Sequence, residues 1–71
     1  MTEVLIYGFR VSYDDTARYA ISYLLHDLDQ EEAKVFFEQA KLKGYCKFED
    51  DREGDYLIAY NKDNTYTLIK R

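Results

Sequence analysis

Two residues carry the side chains most often used in nucleophilic catalysis. His26 is the only histidine of the chain and Cys46 is its only thiol. A cysteine and a histidine form a nucleophile and its base when the fold brings them within hydrogen-bond reach. Each also has a structural explanation, because a histidine suits the C-terminal end of a helix and a free cysteine usually packs as a small apolar residue. We therefore predict no catalytic residues.

No motif for an enzyme or cofactor site appears in the sequence. GxSxG, HExxH, P-loop and dinucleotide-binding patterns are all missing. The three glycines, Gly8, Gly44 and Gly54, are too dispersed to cradle a phosphate group. We expect a protein that is not an enzyme and needs no cofactor.

The segment EDDREGDY, residues 49–56, places five carboxylates within seven positions. Counted from Glu49, acids fall at positions 1, 3 and 5 and Gly54 at position 6, as in an EF-hand calcium loop. Position 12 of such a loop is a glutamate, whereas here it is Tyr60. A type I turn followed by a glycine in the left-handed region explains the same residues. We predict that this acidic loop reverses the chain and holds no metal.

The first half of the chain predicts two helices. Apolar residues recur at helical spacing over residues 17–28, and a capping box starting at Ser12 would begin that helix. Asp29 and Glu32 form a second capping box, and Gly44 suits the left-handed position that ends a helix. The pattern therefore indicates a helical hairpin.

The strands on either side of this hairpin predict a single α+β domain, residues 1–71. EVLIYGFRV, residues 3–11, is dense in β-branched and aromatic residues and favours one strand. YCKFED, DYLIAY and TYTLIKR alternate and are separated by short turns, as in a meander of three strands. We expect the order β-α-α-β-β-β in two layers, a four-stranded sheet with the helical hairpin on one face. If the hairpin returns the chain to the end where it began, the sheet is mostly antiparallel.

A second stripe on each helix is the most informative feature for function. With about 100° between successive residues, Tyr19, Tyr23 and His26 fall opposite the apolar stripe of the first helix. Val35 and Leu42 point away from the apolar side of the second helix. A surface helix normally carries charged residues in such places. Aromatic and apolar centres with polar rims are typical of protein–protein interfaces, so we predict that these five residues bind a protein partner or a second copy of the chain.

Composition indicates a cytoplasmic protein. The chain has 14 acidic and 10 basic residues, a net charge of −4 that disfavours nucleic-acid backbones and favours a basic partner. One cysteine excludes an internal disulfide, and the N-terminal MTEVLIYGF lacks the features of a leader peptide. No apolar run approaches the roughly 20 residues that cross a bilayer.

The order β-α-α-β-β-β is similar to that of the small ribonuclease and gyrase toxins of toxin–antitoxin modules. GDYLIAYNKDNTYTLIKR, residues 54–71, resembles their final hairpin, which also ends in an arginine. The resemblance implies an alternative function, that of a toxin-like or inhibitory protein acting on nucleic-acid machinery. Its ribonuclease form implies a basic concave sheet face, and an inhibitory form implies an acidic surface that imitates a phosphate chain.

Overall fold

The computed structural model describes residues 1–71 as an α+β fold with two helices and a five-stranded mixed sheet. The strands are β1 (Thr2–Ile6), β2 (Phe9–Tyr13), β3 (Tyr45–Glu49), β4 (Asp55–Tyr60) and β5 (Tyr66–Lys70). The helices are α1 (Arg18–Ser22) and α2 (Gln30–Lys43). A 3-10 turn (Asp15–Ala17) precedes α1 and a π turn (Tyr23–Asp27) follows it.

Residues 3–11 form a hairpin rather than one strand. Ile6 pairs with Phe9, so the connection between β1 and β2 contains only Tyr7 and Gly8. Both have positive φ angles, 50° and 89°, as the two-residue turn of type I′ requires. The prediction of four strands is therefore wrong by one. The sequence did not predict this turn because tyrosine usually favours a strand. Gly8 is the only one of the two residues that is typical of a chain reversal.

The strand order is β1-β2-β5-β4-β3, with β2 and β5 parallel and the other three pairings antiparallel. We expected the helical hairpin to return the chain to the end where it began. It does so, since β3 starts level with the end of β2: Ser12 pairs with Thr67, Thr67 with Ala59, and Ala59 with Tyr45. From there, however, β3 continues in the same direction as β2 rather than antiparallel to it. The sheet is consequently staggered and mixed.

The ends of α2 follow local chemistry. The Asp29 carboxylate accepts a hydrogen bond from the backbone N–H of Glu32 at 2.8 Å, and the Glu32 carboxylate accepts one from the N–H of Asp29 at 3.3 Å. Gly44 closes the helix with a φ of 94°. Both predicted signals for α2 are confirmed. The predicted cap of the first helix is wrong, since Asp14 and not Ser12 accepts from the backbone N–H of Thr16.

The first helical segment is not one regular helix. It ends in a π turn, closed by a hydrogen bond of 3.1 Å from the Leu28 N–H to the Tyr23 carbonyl. The Tyr7 hydroxyl donates to the carbonyl of Leu25 inside this turn at 3.2 Å, which links it to the β1–β2 hairpin. A π turn adds a residue to the helical repeat, so directions counted at 100° per residue do not hold beyond Tyr23.

The core lies between the helices and one face of the sheet. Alternate strand residues point into it and are buried: Ile6, Val11, Phe48, Tyr56, Ile58, Tyr66 and Leu68. The helical segments contribute Ala17, Ala20, Ile21, Leu24, Ala33, Phe37 and Ala40. The intervening strand positions are half-buried or exposed, and Leu5, Tyr45 and Ile69 are the large apolar or aromatic residues exposed among them. The second face of the sheet, the open sheet face, is therefore left uncovered by the chain.

Two isoleucines on neighbouring strands test which face carries the core. Ile58 is 0% exposed, whereas Ile69 on the open sheet face is 44% exposed. We expect Ile58→Val to lower the free energy of unfolding by about 0.5–1.5 kcal/mol, because it removes a buried methyl group. Ile69→Val should change it by less than about 0.5 kcal/mol. Urea denaturation measures both variants, and equal losses would show that both faces are packed.

Candidate interaction surface

The outer helical surface comprises the five residues that the sequence singled out: Tyr19, Tyr23, His26, Val35 and Leu42. The structure leaves four of them exposed, and Tyr23 is half-buried.

α2 presents opposite sides to the sheet and to solvent. Ala33, Phe37 and Ala40 are fully buried beneath it. Val35 and Leu42 lie on the opposite side and are 51% and 78% exposed. Solvent exposure of a single apolar residue is ordinary, but these two are separated by two helical turns on the same line. They form an apolar stripe that no part of the chain covers.

The carboxylates beside this stripe supply a polar rim. Glu31 precedes Val35 by four residues and Glu38 precedes Leu42 by four, so acids and apolar residues alternate along the outer side of α2. Both glutamates are exposed, and neither takes part in an ion pair. The stripe is therefore apolar at two points and negatively charged between them.

Tyr19 is exposed on α1, and a cationic side chain of the same protein lies over its ring. The guanidinium carbon of Arg52, in the acidic loop, is 5.3 Å from the centre of the Tyr19 ring. Around this pair α1 and the loop enclose a niche of about 170 Å³, to which Asp27, Asp50 and Asp51 contribute carboxylates. Cations over an aromatic face are attracted to its negative charge, so the niche suits positively charged groups.

Tyr23 contributes less free surface than its spacing from Tyr19 indicated. Its ring stacks on Phe48 of β3, with centroids 6.3 Å apart and an interplanar angle of 11°. Burial raises the pKa of the Tyr23 hydroxyl, and the negative charges of Asp51 and Asp27 raise it further. Only part of this side chain is available to a partner. His26, within the π turn, is exposed.

The acidic loop is organised around one carboxylate. Asp50 accepts hydrogen bonds from the backbone N–H groups of Arg52 and Gly54, each at 2.8 Å. Partial burial acts to raise the pKa of Asp50, but these two N–H groups hold it below its ordinary value. No group of three or more His, Cys, Asp or Glu side chains is arranged to hold a metal ion. The loop joins β3 to β4 and reverses the chain.

Gly54 allows close packing of neighbouring side chains and does not adopt a left-handed backbone conformation. The positive φ of the loop, 65°, belongs to Glu53, so the expected glycine turn is displaced by one residue. A Cβ atom at Gly54 would lie 3.0 Å from the carboxylate of Asp50 and 3.0 Å from the hydroxyl of Tyr56. The glycine allows the carboxylate of Asp50 to lie against the backbone.

Cys46 and His26 occupy different environments. Cys46 is half-buried on β3, where its Sγ donates weakly to the carbonyl of Lys47 at 3.8 Å. Burial raises the pKa of the thiol, which lowers the fraction of nucleophilic thiolate at neutral pH. No hydrogen bond joins Cys46 to His26.

The open sheet face is a second exposed surface, which the sequence-based site did not include. It presents Leu5, Ile69 and Tyr45, the last with the Lys47 ammonium 5.9 Å from its ring centre. Alternation along each strand could have placed these residues on the outer face, but their mutual positions depend on the strand order.

The charges of this face bear on the resemblance to ribonuclease toxins. The strand register assigns five charged residues to it: Glu3, Arg10, Lys47, Glu49 and Asp55. Arg71 follows β5 on the same face, since its backbone N–H donates to the Asp55 carbonyl at 2.8 Å. Acids and bases therefore balance on this face, and Glu3 and Arg10 form an ion pair of 3.6 Å. The face carries no net positive charge of the kind that attracts an RNA backbone.

No protein family model, curated protein or solved structure matches this chain. Neither helix combines the length and the apolar character that crossing a bilayer demands.

Replacing Asp50 tests the organisation of the acidic loop. Asp50→Ala removes both hydrogen bonds to the loop backbone and should lower the free energy of unfolding by about 1–2 kcal/mol, the scale of a lost helix cap. The neighbouring Asp51→Ala is the matched control, because Asp51 is exposed. Urea denaturation at neutral pH measures both variants.

The pH dependence provides an independent check on Asp50. Its folded-state pKa is lowered, so its stabilisation is present above the unfolded pKa of about 4 and disappears as the pH falls through the folded value. The difference between wild type and Asp50→Asn should therefore shrink in acid. A difference that grows in acid would contradict this role.

Proposed function

We propose that this protein is a non-catalytic interaction module that binds a protein partner, or a second copy of itself, through the outer helical surface. The observation that supports it most is the exposure of Val35 and Leu42 on the side of α2 opposite the core. Leaving large apolar groups in water forgoes the free energy that burial would provide. A partner that covers them recovers it.

The composition of the surface matches that of interface cores. Interfaces are enriched in tyrosine and arginine, and a few such residues near the centre provide most of the binding energy. Tyr19 and Arg52 form such a pair, and His26 is exposed. Leu42 and Val35 add apolar area on α2. The five predicted residues thus supply an aromatic part and an aliphatic part.

Charge favours a basic partner. Glu31 and Glu38 flank the stripe on α2, and Asp27 and Asp51 flank Tyr19. Together with the net charge of −4, these carboxylates attract a positively charged protein and accelerate its association. We place the module in the cytoplasm, where its single thiol stays reduced.

Two exposed leucines allow a controlled test of the surface. Leu42→Glu places a charge within the proposed contact, and we expect association to weaken by at least about 30-fold, the effect of losing a hot spot. Leu5→Glu changes another exposed leucine, on the open sheet face, and should leave association unchanged. Both variants should keep the wild-type stability, because both positions face solvent.

Analytical ultracentrifugation measures self-association, and capture from extracts of the native cell measures binding to other proteins. A partner retained by wild type and by Leu5→Glu, but lost by Leu42→Glu, supports the proposal. If Leu5→Glu alone abolished binding, the contact would lie on the open sheet face, and this result would contradict the proposal.

A further inference from the structure

The largest cleft of the molecule, about 640 Å³, lies away from the Tyr19 niche. Three elements form it: the β1–β2 turn with the start of β2, the C-terminal half of α2, and the β4–β5 turn with the start of β5. Its volume is within the range of clefts that bind small molecules.

Aromatic rings form the floor of the cleft. Phe9 stacks on Phe37 with centroids 4.5 Å apart, and Tyr66 meets the edge of Phe9 at 5.5 Å. Phe9 is half-buried and lines the cleft, so part of its ring is free to contact a ligand. The floor therefore favours a flat apolar group.

One buried polar group opens into the cleft. Tyr66 is only 3% exposed, and its hydroxyl makes no hydrogen bond within the chain. No fully buried side-chain oxygen or nitrogen of the protein lacks a partner, so this hydroxyl must reach the cleft that Tyr66 lines. A donor in such a position is satisfied by solvent or by a ligand. Burial raises the pKa of the Tyr66 hydroxyl, and the charges of Tyr60 and Glu38 raise it further. The hydroxyl is therefore protonated at neutral pH.

The walls carry both signs of charge. Glu38 and Lys41 are one turn apart on α2, and neither belongs to an ion pair. Arg10 lies on the opposite wall. The Asp63 carboxylate already accepts a hydrogen bond of 2.6 Å from the Thr65 hydroxyl, which lowers its pKa. Because Arg10 already pairs with Glu3, Glu38 and Lys41 are the unpaired carboxylate and the unpaired cation that the cleft offers to a ligand.

Each of the two turns bordering the cleft contains a residue with a positive φ angle. Gly8 has a φ of 89° and Asn64 a φ of 71°, conformations typical of tight hairpin turns. A Cβ atom at Gly8 would meet nothing within 4 Å, so the cleft is open at this edge. A small molecule can enter beside the β1–β2 turn without rearrangement of the chain.

We propose that this cleft binds a small zwitterion with a flat apolar body, of which an aromatic α-amino acid is the simplest. Its carboxylate pairs with Lys41, its ammonium with Glu38, and its ring lies on Phe9 beside the Tyr66 hydroxyl. A ligand that carries only a carboxylate would be repelled by Glu38, and a ligand that carries only an ammonium would be repelled by Lys41. Glu38 and Lys41 have Cβ atoms about 5–6 Å apart, so their side chains can converge on an ammonium and a carboxylate that share one carbon atom.

Three ligands with the same phenyl ring test the proposal on the full chain: phenylalanine, 3-phenylpropionate and 2-phenylethylamine. Calorimetry gives the affinities and amide chemical shifts locate the site. We expect phenylalanine to bind about tenfold more tightly than either singly charged analogue, the scale of one lost charge-assisted hydrogen bond. Equal binding of either analogue would overturn the proposal. So would the absence of shifts at Phe9 and Tyr66 at about 10 mM ligand, well above the range of weak binding.

Variants separate the cleft from general effects. Lys41→Gln and Glu38→Gln should each weaken phenylalanine binding about tenfold. Lys43→Gln is the control, because Lys43 lies on the same helix end but outside the cleft. Tyr66→Phe should weaken binding several-fold without lowering the free energy of unfolding, since its hydroxyl has no partner in the chain. Equal loss from Lys43→Gln and Lys41→Gln would overturn the assignment.

Discussion

The packing of Phe37 is the interaction on which the rest of the structure depends. Its ring is fully buried, stacks on Phe9 of β2 and meets the ring of Tyr66 on β5 at 5.0 Å. One side chain of α2 thus contacts both strands of the parallel pair. Aromatic pairs add about 0.5–1.5 kcal/mol beyond the burial of their area, and their geometry sets the rotation of the helix. With that rotation defined, Val35 and Leu42 must face solvent.

A second aromatic cluster holds the first helical segment and the β3–β4 hairpin together. Phe48 of β3 stacks on Tyr23, on Phe36 of α2 and on Tyr56 of β4. This cluster brings the acidic loop against α1, so Arg52 can lie over Tyr19. The niche at Tyr19 and the half-burial of Tyr23 are two consequences of the same packing.

Local signals in the sequence were sufficient for α2 and for the α+β class. The capping box at Asp29 and the closing glycine at Gly44 depend only on neighbouring residues, and both occur as predicted. The β1–β2 turn and the π turn after Ser22 were missed. A tyrosine with positive φ contradicts the preference of its residue type, and the π turn depends on long-range contacts such as the bond from Tyr7 to Leu25.

The exposed positions of α2 could be read from helical periodicity, because one regular helix relates them. The cleft and the open sheet face could not, since their residues come from separate elements whose arrangement depends on strand order. Phe9 and Tyr66 are 57 positions apart and meet only because β2 and β5 are neighbours. Non-local pairing of this kind leaves no periodic trace in a sequence.

The central functional claim is that a partner covers the outer side of α2 and not the open sheet face. Photo-leucine incorporated at position 42 or at position 5, followed by illumination in the native cell, tests it most directly, because only a protein in contact with the side chain forms a covalent adduct. The account predicts a discrete adduct from position 42 and none from position 5. An adduct from position 5 alone, or from neither position, would contradict it.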